Sequence, residues 1–368
     1  MNLLHNKMID IALKISKKNK YTTESNPNVG CVIANDHCIL AYATTNHLGR
    51  PHAEELALSQ IKSSDINEKT TIYSTLEPCI MRNIGTPCAE NILSHNIKNI
   101  VFSIKDCDSR TFNRTKDYCN NNNINLTSGI NSKDALTHHL SYFHNRLLKR
   151  PLITVKVAVS IDGKIALNNY YSKWISNDIA RKISHQLRSD NDGILVGKNT
   201  FKYDNPRLNC RLEGLEEFSP IKIILGYDSG FSFKNHDKKE KKLYIVNEND
   251  CPNQHENIFF IKHSPYDIMG VLEKLTLMGI KTLLVEGGGK ILTTLLRYNL
   301  IDKLIIMRSN KIIGNDGIGM FDCLSKNNME KTNNFINTKT ISIEDNRAEY
   351  YESSYLQNNF NSWLESYC

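Results

Sequence analysis

The first 150 residues alternate between segments with a helical repeat of apolar positions and short, continuously apolar runs. The opening segment places its apolar residues on one face, which predicts an amphipathic helix; they are Leu4, Met8, Ile11, Ala12 and Ile15. A turn at 26–28 then precedes an apolar run over 29–34 that is typical of a buried strand. The same criteria predict a helix beginning near residue 52, a strand over 70–75, a helix over 88–95 and a strand over 99–103. A loop over 120–125 and a helix over 132–148 follow.

A second alternation follows a break in the chain. Lys149-Arg150-Pro151 ends the last helix, because proline disfavours helical conformation in the residue before it. Strands that alternate with helices indicate an α/β fold with a largely parallel or mixed sheet. We therefore predict two domains, residues 1–149 and 150–368, without an internal repeat. The predicted strands of the second domain lie over 152–160, near 194, over 221–225 and over 282–285, and its helices over 177–188 and 266–278.

Length and composition narrow the class of protein. A chain of 368 residues is long for one hydrophobic core, which agrees with two domains. The net charge of +7 favours anionic ligands, but the lysines are scattered, so nucleic acid is not a predicted partner. No apolar stretch is long enough to cross a bilayer, and the N-terminus lacks the apolar core of a signal peptide. We expect a cytoplasmic protein without membrane contact, in which most of the ten cysteines are reduced.

Three short motifs in the first half contain the residue types of a catalytic zinc site. They are Pro51-His52-Ala53-Glu54, Glu77-Pro78-Cys79 and Pro87-Cys88, each near the predicted start of a helix or turn. One imidazole and two thiolates make three ligands and leave a fourth position for water. Glu54 is placed to move protons between that water and a leaving amine. Zinc nucleobase deaminases carry a related pattern, His-x-Glu with Pro-Cys-x-x-Cys, although eight residues separate the two cysteines here.

The second half carries five motifs, at 157–164, 172–176, 197–200, 204–211 and 285–290. In the last of them, Gly287-Gly288-Gly289 joins a strand to a helix, where a diphosphate can approach the backbone. The glycines do not form the G-x-G-x-x-G pattern of a Rossmann unit. Alone they could form a plain tight turn, but their four companions favour a nucleotide site. Arg188 and Arg211 suit a phosphate group, because a guanidinium binds phosphate oxygens in a fork.

These motifs, together with Asn26-Pro27-Asn28-Val29-Gly30-Cys31, resemble the bifunctional deaminase/reductase family of riboflavin biosynthesis over about residues 8–320. The resemblance implies an α/β protein with an N-terminal cytidine-deaminase-like domain, a mixed sheet flanked by helices, and a C-terminal dihydrofolate-reductase-like domain. It implies that zinc is bound by His52, Cys79 and Cys88, with Glu54 as the proton shuttle and Asn28 in the pyrimidine pocket. It also implies NADPH contacts at Ala158, Trp174, Thr200, Asp204, Gly288 and Gly289, and substrate contacts at Ser172, Arg188, Leu208, Arg211 and Glu286.

The implied chemistry is a pair of consecutive reactions on a small phosphorylated pyrimidine. Zinc-dependent hydrolysis would remove an amino group from 2,5-diamino-6-ribosylamino-pyrimidinone 5′-phosphate. NADPH-dependent reduction of the ribosyl side chain would then give 5-amino-6-ribitylamino-uracil 5′-phosphate. We also expect a homo-oligomer. The remaining histidines of the first half are predicted to lie on helix surfaces: His95, His138, His139 and His144.

The sequence departs from the family in the loop between the zinc cysteines. Met81 takes the place of a usual histidine, the usual basic residue is shifted to Arg82, and Thr45 replaces a histidine seven residues before His52. An alternative is therefore that only the reductase half is active and the deaminase half is structural. A second alternative, a transfer RNA deaminase, should show a two-residue cysteine gap, a basic patch and no reductase half.

Overall fold

The structure, a computed structural model, describes residues 2–17, 23, 26–81, 85–172, 177–234, 236, 242–249, 257–322 and 333–368. The chain divides into unit 1, Met1–Lys149 with Asn359–Cys368, and unit 2, Arg150–Asn358. This division follows the predicted boundary except for the last ten residues, which pack with unit 1. The assignment of one activity to each domain stays a prediction.

Unit 1 is built on a five-stranded sheet with the strand order β2-β1-β3-β4-β5. Its elements are α1 (Asn2–Ser16), β1 (Gly30–Ala34), β2 (Ile39–Thr44), α2 (Ala53–Leu58), β3 (Thr71–Leu76), α3 (Cys88–Ser94), β4 (Asn99–Ile104), α4 (Arg114–Asn121), β5 (Asn125–Thr127), α5 (Ser132–His138) and α6 (Leu140–Leu148). Strand β1 is antiparallel to both neighbours, whereas β3, β4 and β5 are parallel. Every residue of β1 and β3 is buried, which explains the continuously apolar sequence of β1, whereas the polar residues of β3 are the small side chains of Thr71, Ser74 and Thr75.

The structure corrects three predictions for the end of this unit. The helix predicted over 132–148 is interrupted at His139, and the loop predicted over 120–125 contains the end of α4 and the start of β5. The histidines of α5 and α6 were expected on the surface, but His139 and His144 are buried. His139 Nε2 lies 3.1 Å from Thr75 Oγ1, and the His144 ring packs edge-on against Trp363. Their burial follows from partners that are distant in the sequence.

Unit 2 is built on a nine-stranded sheet with the order β11-β10-β9-β8-β12-β6-β13-β16-β15, and a small pair, β14 and β7. Its elements are β6 (Leu152–Val159), β7 (Lys164–Ala166), α7 (Asp178–Ser189), β8 (Gly193–Gly197), α8 (Lys198–Asp204), β9 (Ile221–Leu225), β10 (Leu243–Asn247), β11 (Ile258–Lys262), α9 (Ile268–Leu277), β12 (Thr282–Val285), α10 (Gly289–Arg297), β13 (Lys303–Arg308), β14 (Ile318–Gly319), β15 (Phe335–Ile343) and β16 (Asn346–Ser353). Helix α11 (Ser354–Tyr367) begins here and ends among the residues of unit 1.

The first seven strands of this order are parallel, and β16 and β15 extend the sheet in antiparallel fashion. Successive side chains of a strand point to opposite faces, and the core of unit 2 divides accordingly. Leu195 and Val285 belong to a cluster that includes α9 and α10, whereas Ile194 and Leu284 belong to a second cluster around Phe201. With both faces covered, polar side chains can gather at the carboxyl ends of β6, β8 and β12. Of the helices described, none is both long and apolar enough to span a membrane.

A buried ion pair fixes the start of unit 2. Asp302 is fully buried and accepts hydrogen bonds from Arg150 Nη1 and Nη2, at 2.6 and 2.8 Å, and from Ile153 N at 2.8 Å. We predict that Asp302→Ala lowers the free energy of unfolding by about 3–5 kcal/mol, because it removes the carboxylate that accepts two hydrogen bonds from the buried Arg150 guanidinium. Urea unfolding measures this. The more exposed pair of Lys202 and Asp228 provides the control, and Asp228→Ala should shift the midpoint far less. Equal shifts in the two variants would contradict the prediction.

Candidate active sites

The three predicted zinc ligands meet just beyond the carboxyl end of β3. His52 immediately precedes α2, and Cys88 is the first residue of α3. The Cys79 and Cys88 sulfur atoms are 3.4 Å apart, and His52 Nδ1 lies 3.2 Å from Cys88 Sγ and 3.6 Å from Cys79 Sγ. Within the described part of the chain, this is the only group of three His, Cys, Asp or Glu side chains with ligand atoms so close together.

The donor set and its spacing fit zinc. Tetrahedral zinc, with bonds of about 2.3 Å to sulfur and about 2.0 Å to nitrogen, separates its ligand atoms by about 3.5–3.8 Å. The pKa of Cys79 is lowered to about 4 by the hydrogen bond that Cys79 forms with Cys88 and by the neighbouring His52. The same bond, together with burial, raises the pKa of Cys88. One thiolate is therefore favoured in the protein alone, and a cation would compensate the second.

Glu54 lies against this ligand triangle. It is buried, its Oε2 lies 3.6 Å from Cys88 Sγ, and its Oε1 accepts a hydrogen bond from Ser74 Oγ at 2.8 Å. Burial raises the pKa of the Glu54 carboxyl. A carboxyl group that is oriented by a hydroxyl and easily protonated is suited to proton transfer beside a bound metal.

The loop that contains Asn28 is fixed by several hydrogen bonds. The Asn28 amide donates to Ser16 O, and its Oδ1 accepts from Thr44 Oγ1 at 3.0 Å. His138 Nε2 lies 2.8 Å from Asn28 O and 2.9 Å from Ser16 Oγ. An asparagine side chain has two donor hydrogens and two acceptor lone pairs. Among the described residues these two bonds use one of each, so that one donor and one acceptor of Asn28 have no partner there.

The second site lies at the carboxyl ends of parallel strands in unit 2. Glu286 follows β12, and its backbone N donates to Leu195 O of β8 at 3.2 Å. Its carboxylate accepts from Arg188 Nε and Nη2 of α7, at 3.1 and 2.8 Å, and Arg188 Nη1 donates to Asn209 O at 3.1 Å. Burial opposes the ionisation of Glu286, but Arg188 and Lys156 lower its pKa to about 2. The pair is charged and turned toward each other.

The glycine run lies beside the start of α8. A Cβ atom on Gly288 would meet Thr200 Oγ1 at 3.6 Å, an ordinary van der Waals contact, so Thr200 and Gly288 are neighbours. A Cβ on Gly289 would lie 3.2 Å from Gly319 O, closer than most real contacts. Gly289 is therefore required by packing, whereas the fold would accept a Cβ at Gly288.

Comparison with known proteins identifies the family. Residues 151–344, just over half of the chain, match the family described as RibD C-terminal domain. Residues 3–104 match the cytidine and deoxycytidylate deaminase zinc-binding region. Riboflavin biosynthesis protein RibD of Aquifex aeolicus (strain VF5) is 30% identical over 318 residues, which cover 85% of this chain and 88% of that protein. The chain belongs to the RibD family.

Other members agree in extent and in fold. RibD of Escherichia coli (strain K12) is 26% identical over 326 residues, covering 84% of this chain and 88% of that protein. The crystal structure of a deaminase/reductase from Thermotoga maritima has a TM-score of 0.85 at 24% identity and covers 96% of this chain and 99% of its own. RibD of Acinetobacter baumannii has the same TM-score at 23% identity, with coverages of 96% and 99%. The predicted fold class, deaminase-like and reductase-like α/β domains, is confirmed.

The structure brings half of the sixteen predicted site residues into two groups. The zinc ligands and Glu54 form one group in unit 1. In unit 2, Arg188 and Glu286 are bonded, and Arg211 is joined to the same loop through Asn209 Oδ1 at 3.0 Å. Leu208, in that loop, has a left-handed backbone with φ of 56°. Three further predicted residues are not among these contacts. Ala158 lies within β6, Ser172 is half-buried, and Asp204 is exposed at the end of α8. Trp174 and Arg82 lie outside the described residues.

Sequence reasoning missed three residues of these sites. Lys156 lies in β6 among buried apolar neighbours, and burial lowers the pKa of its ammonium group while Glu286 raises it. A lysine inside an apolar strand was a visible signal. His185 Nδ1 lies 3.3 Å from Arg211 N, and burial together with Arg188 and Arg211 lowers its pKa to about 4, so its ring is neutral at pH 7. Ser74, which orients Glu54, gave no signal, because a serine in a strand is unremarkable by sequence.

The ligand triangle predicts one zinc ion per chain. Cys79→Ser removes one of the two thiolates and should leave the purified protein with far less zinc and no ammonia release. Reduction of the already deaminated substrate should remain nearly intact, because all three ligands lie in unit 1. Atomic emission measures the metal, and circular dichroism checks that the variant is folded. Wild-type protein that releases ammonia without stoichiometric metal, never having met a chelator, would refute the assignment.

Proposed function

We infer that this chain catalyses two consecutive steps of riboflavin biosynthesis, a zinc-dependent deamination and an NADPH-dependent reduction. The substrate is a small phosphorylated pyrimidine, 2,5-diamino-6-ribosylamino-pyrimidinone 5′-phosphate, and the product is 5-amino-6-ribitylamino-uracil 5′-phosphate. The observation on which the proposal chiefly rests is the triangle of His52, Cys79 and Cys88 with Glu54 against it. Membership of the RibD family supports the second activity.

In the deamination, His52, Cys79 and Cys88 would hold zinc, which supplies a Lewis acid that lowers the pKa of a water molecule. Glu54 takes a proton from the attacking water and delivers it to the amino group, which leaves the pyrimidine ring as ammonia. Ser74 Oγ holds the Glu54 carboxylate in one orientation during both transfers. Asn28 offers its remaining donor and acceptor to the pyrimidine edge. One carboxyl thus serves first as base and then as acid.

In the reduction, NADPH supplies a hydride. Hydride addition at C1′ of the ribosyl group would break the bond from C1′ to the ring oxygen, and the ring oxygen would need a proton. We assign this proton to Lys156, because burial lowers the pKa of its ammonium group, which makes it a stronger acid, although the charge of Glu286 acts in the opposite direction. Glu286, held by Arg188, accepts hydrogen bonds from the ribosyl hydroxyls. Thr200 and Gly288, which lie beside each other, are the residues that the cofactor backbone would pass.

Arg188 and Arg211 have different roles in this proposal. Arg188 already donates through all three guanidinium nitrogens, to Glu286 and to Asn209 O, so it orients Glu286. Arg211 is more exposed, and its backbone is anchored against His185. Arg211 is therefore the better candidate for the substrate phosphate, which a guanidinium binds in a fork.

The alternatives are not favoured. A deaminase half that is only structural would not need the ligand triangle or the hydrogen bond from Ser74 to Glu54. Both are present among the described residues. A transfer RNA deaminase would lack the second half, which here matches the RibD C-terminal domain. Work in the cytoplasm and assembly into a homo-oligomer stay predictions from the sequence.

The role of Glu54 can be separated from its contribution to the fold. Glu54→Gln keeps the size of the side chain and an acceptor for Ser74 but cannot shuttle protons. We expect it to retain zinc and to lose deamination by a factor on the order of 10² or more. Ammonia release under single-turnover conditions measures the effect. Glu55→Gln, on the exposed side of the same helix, is the matched control and should be near normal. Near-normal turnover of the Glu54 variant would remove this residue from the mechanism.

The cofactor path at Gly288 gives a further prediction. NADPH at about 100 times its Kd should stabilise unit 2 by about 2.7 kcal/mol, or roughly 5–10 °C in Tm. Gly288→Ala should leave the Tm without NADPH nearly unchanged, because a Cβ there meets Thr200 Oγ1 at 3.6 Å, an ordinary contact. The bulkier variant Gly288→Val is compared with its own Tm without NADPH. The shift with NADPH should be lost, since the side chain fills the cofactor's space. Gly288→Ala should lose less of it. An undiminished shift in the valine variant would mean that the glycine run is only a turn.

A further inference from the structure

The last ten residues of the chain complete the core of unit 1, although the whole of unit 2 precedes them in the sequence. We call Asn359–Cys368 the C-terminal segment. Its Trp363 is buried and lies with its ring edge-on to His144, at 6.3 Å between centroids. The Tyr367 ring contacts Phe112 at 5.2 Å and Phe143 at 5.3 Å, also edge-on. Because His144 and Phe143 are fully buried, these contacts belong to the core rather than to a surface.

The same segment bonds to the chain directly after β4. Lys105 N donates to Tyr367 O at 2.8 Å. The residues on either side of Lys105 both hold Glu77: Ile104 O accepts from Glu77 N at 2.9 Å, and Asp106 N donates to Glu77 Oε2 at 3.1 Å. The C-terminal segment thus holds Lys105, and the two residues next to Lys105 in the chain, Ile104 and Asp106, hold Glu77.

Glu77 leads within two residues to the zinc ligand Cys79. The intervening Pro78 is held from the other side, because its carbonyl oxygen accepts from Thr115 Oγ1 at 2.7 Å. A second route runs through side chains. Asp106 Oδ1 accepts from Tyr142 OH at 2.9 Å, and the residue after Tyr142 is Phe143, the partner of Tyr367. Both routes run from the C-terminal segment to the loop that carries Cys79.

We propose that the C-terminal segment is a positioning element of the deaminase metal site, which holds residues 104–106 and through them the loop 77–79. The proposal rests on the zinc-dependent deaminase function inferred above. Groups that orient metal ligands from outside the ligand set typically change metal affinity by about 10–100-fold when they are removed. The deaminase site would therefore be incomplete without the C-terminal segment, which follows the whole reductase unit in the chain.

The test uses the full-length, zinc-loaded protein with both Trp363→Ala and Tyr367→Ala. We expect zinc to pass to an excess of a chromogenic chelator on the order of ten times faster than from the wild type. After cobalt(II) substitution, the ligand-field absorption bands of the variant should shift, because the geometry at Cys79 changes. Reductase turnover should be unchanged. Tyr367→Phe, which keeps the ring, should restore wild-type zinc release. If the double variant is unfolded at the assay temperature, Tyr367→Leu alone replaces it.

A matched control separates positioning from general loss of stability. Ile97 is fully buried just before β4, at the opposite end of that strand from residues 104–106. Ile97→Ala should lower the Tm of unit 1 without faster zinc release, when each protein is measured at the same interval below its own Tm. Wild-type release from the double variant, or equally fast release from Ile97→Ala, would overturn the inference alone. Wild-type protein without stoichiometric zinc would overturn the metal assignment and the inference with it.

Discussion

Two thiol groups and an imidazole packed within 3.6 Å of one another form an arrangement that is unfavourable until a cation shares their charge. The Cys79 thiolate is stabilised at the expense of Cys88, whose pKa rises. A divalent ion removes the conflict, so metal binding and the folding of unit 1 are coupled. The rest of the unit serves this constraint: a fully buried β3 leads to Cys79, α3 begins at Cys88, and Glu54 and Ser74 lie against the ligands.

Unit 2 meets a similar constraint without a metal. Glu286 and Arg188 are both largely buried, and each compensates the charge of the other through two hydrogen bonds. Breaking such a pair by removing one partner is costly, so the pair fixes the geometry around it. Lys156 adds a third charge whose ionisation depends on its neighbours. Glu286 follows the carboxyl end of β12, at the edge of the sheet where ligands bind in open α/β sheets, and Arg188 reaches it from helix α7.

Some departures from the family pattern have a structural explanation. Thr45, which replaces a histidine, bonds to Val29 at two points: its Oγ1 accepts from Val29 N at 3.0 Å, and its own N donates to Val29 O at 2.9 Å. It therefore supports the loop of Asn28. Nothing in the structure explains Met81. The C-terminal segment shows that the boundary near residue 150, read from Pro151, separates the motifs but not the packing, because ten residues return to unit 1.

The sequence by itself determined the chemistry of this protein. The order of the motifs brought together His52, Cys79, Cys88 and Glu54, which the structure places in one group. Short runs rich in apolar and β-branched residues predicted β1, β3 and the first strand of unit 2. Tertiary structure decided what depends on distant partners: the break of a helix at His139, the orientation of Glu54 by Ser74, the pairing of Arg188 with Glu286, and the return of Trp363 and Tyr367 to unit 1. Local periodicity records whether a residue is buried. It does not record which distant residue buries it, as Trp363 does for His144, because that choice is made by packing and hydrogen bonding between elements.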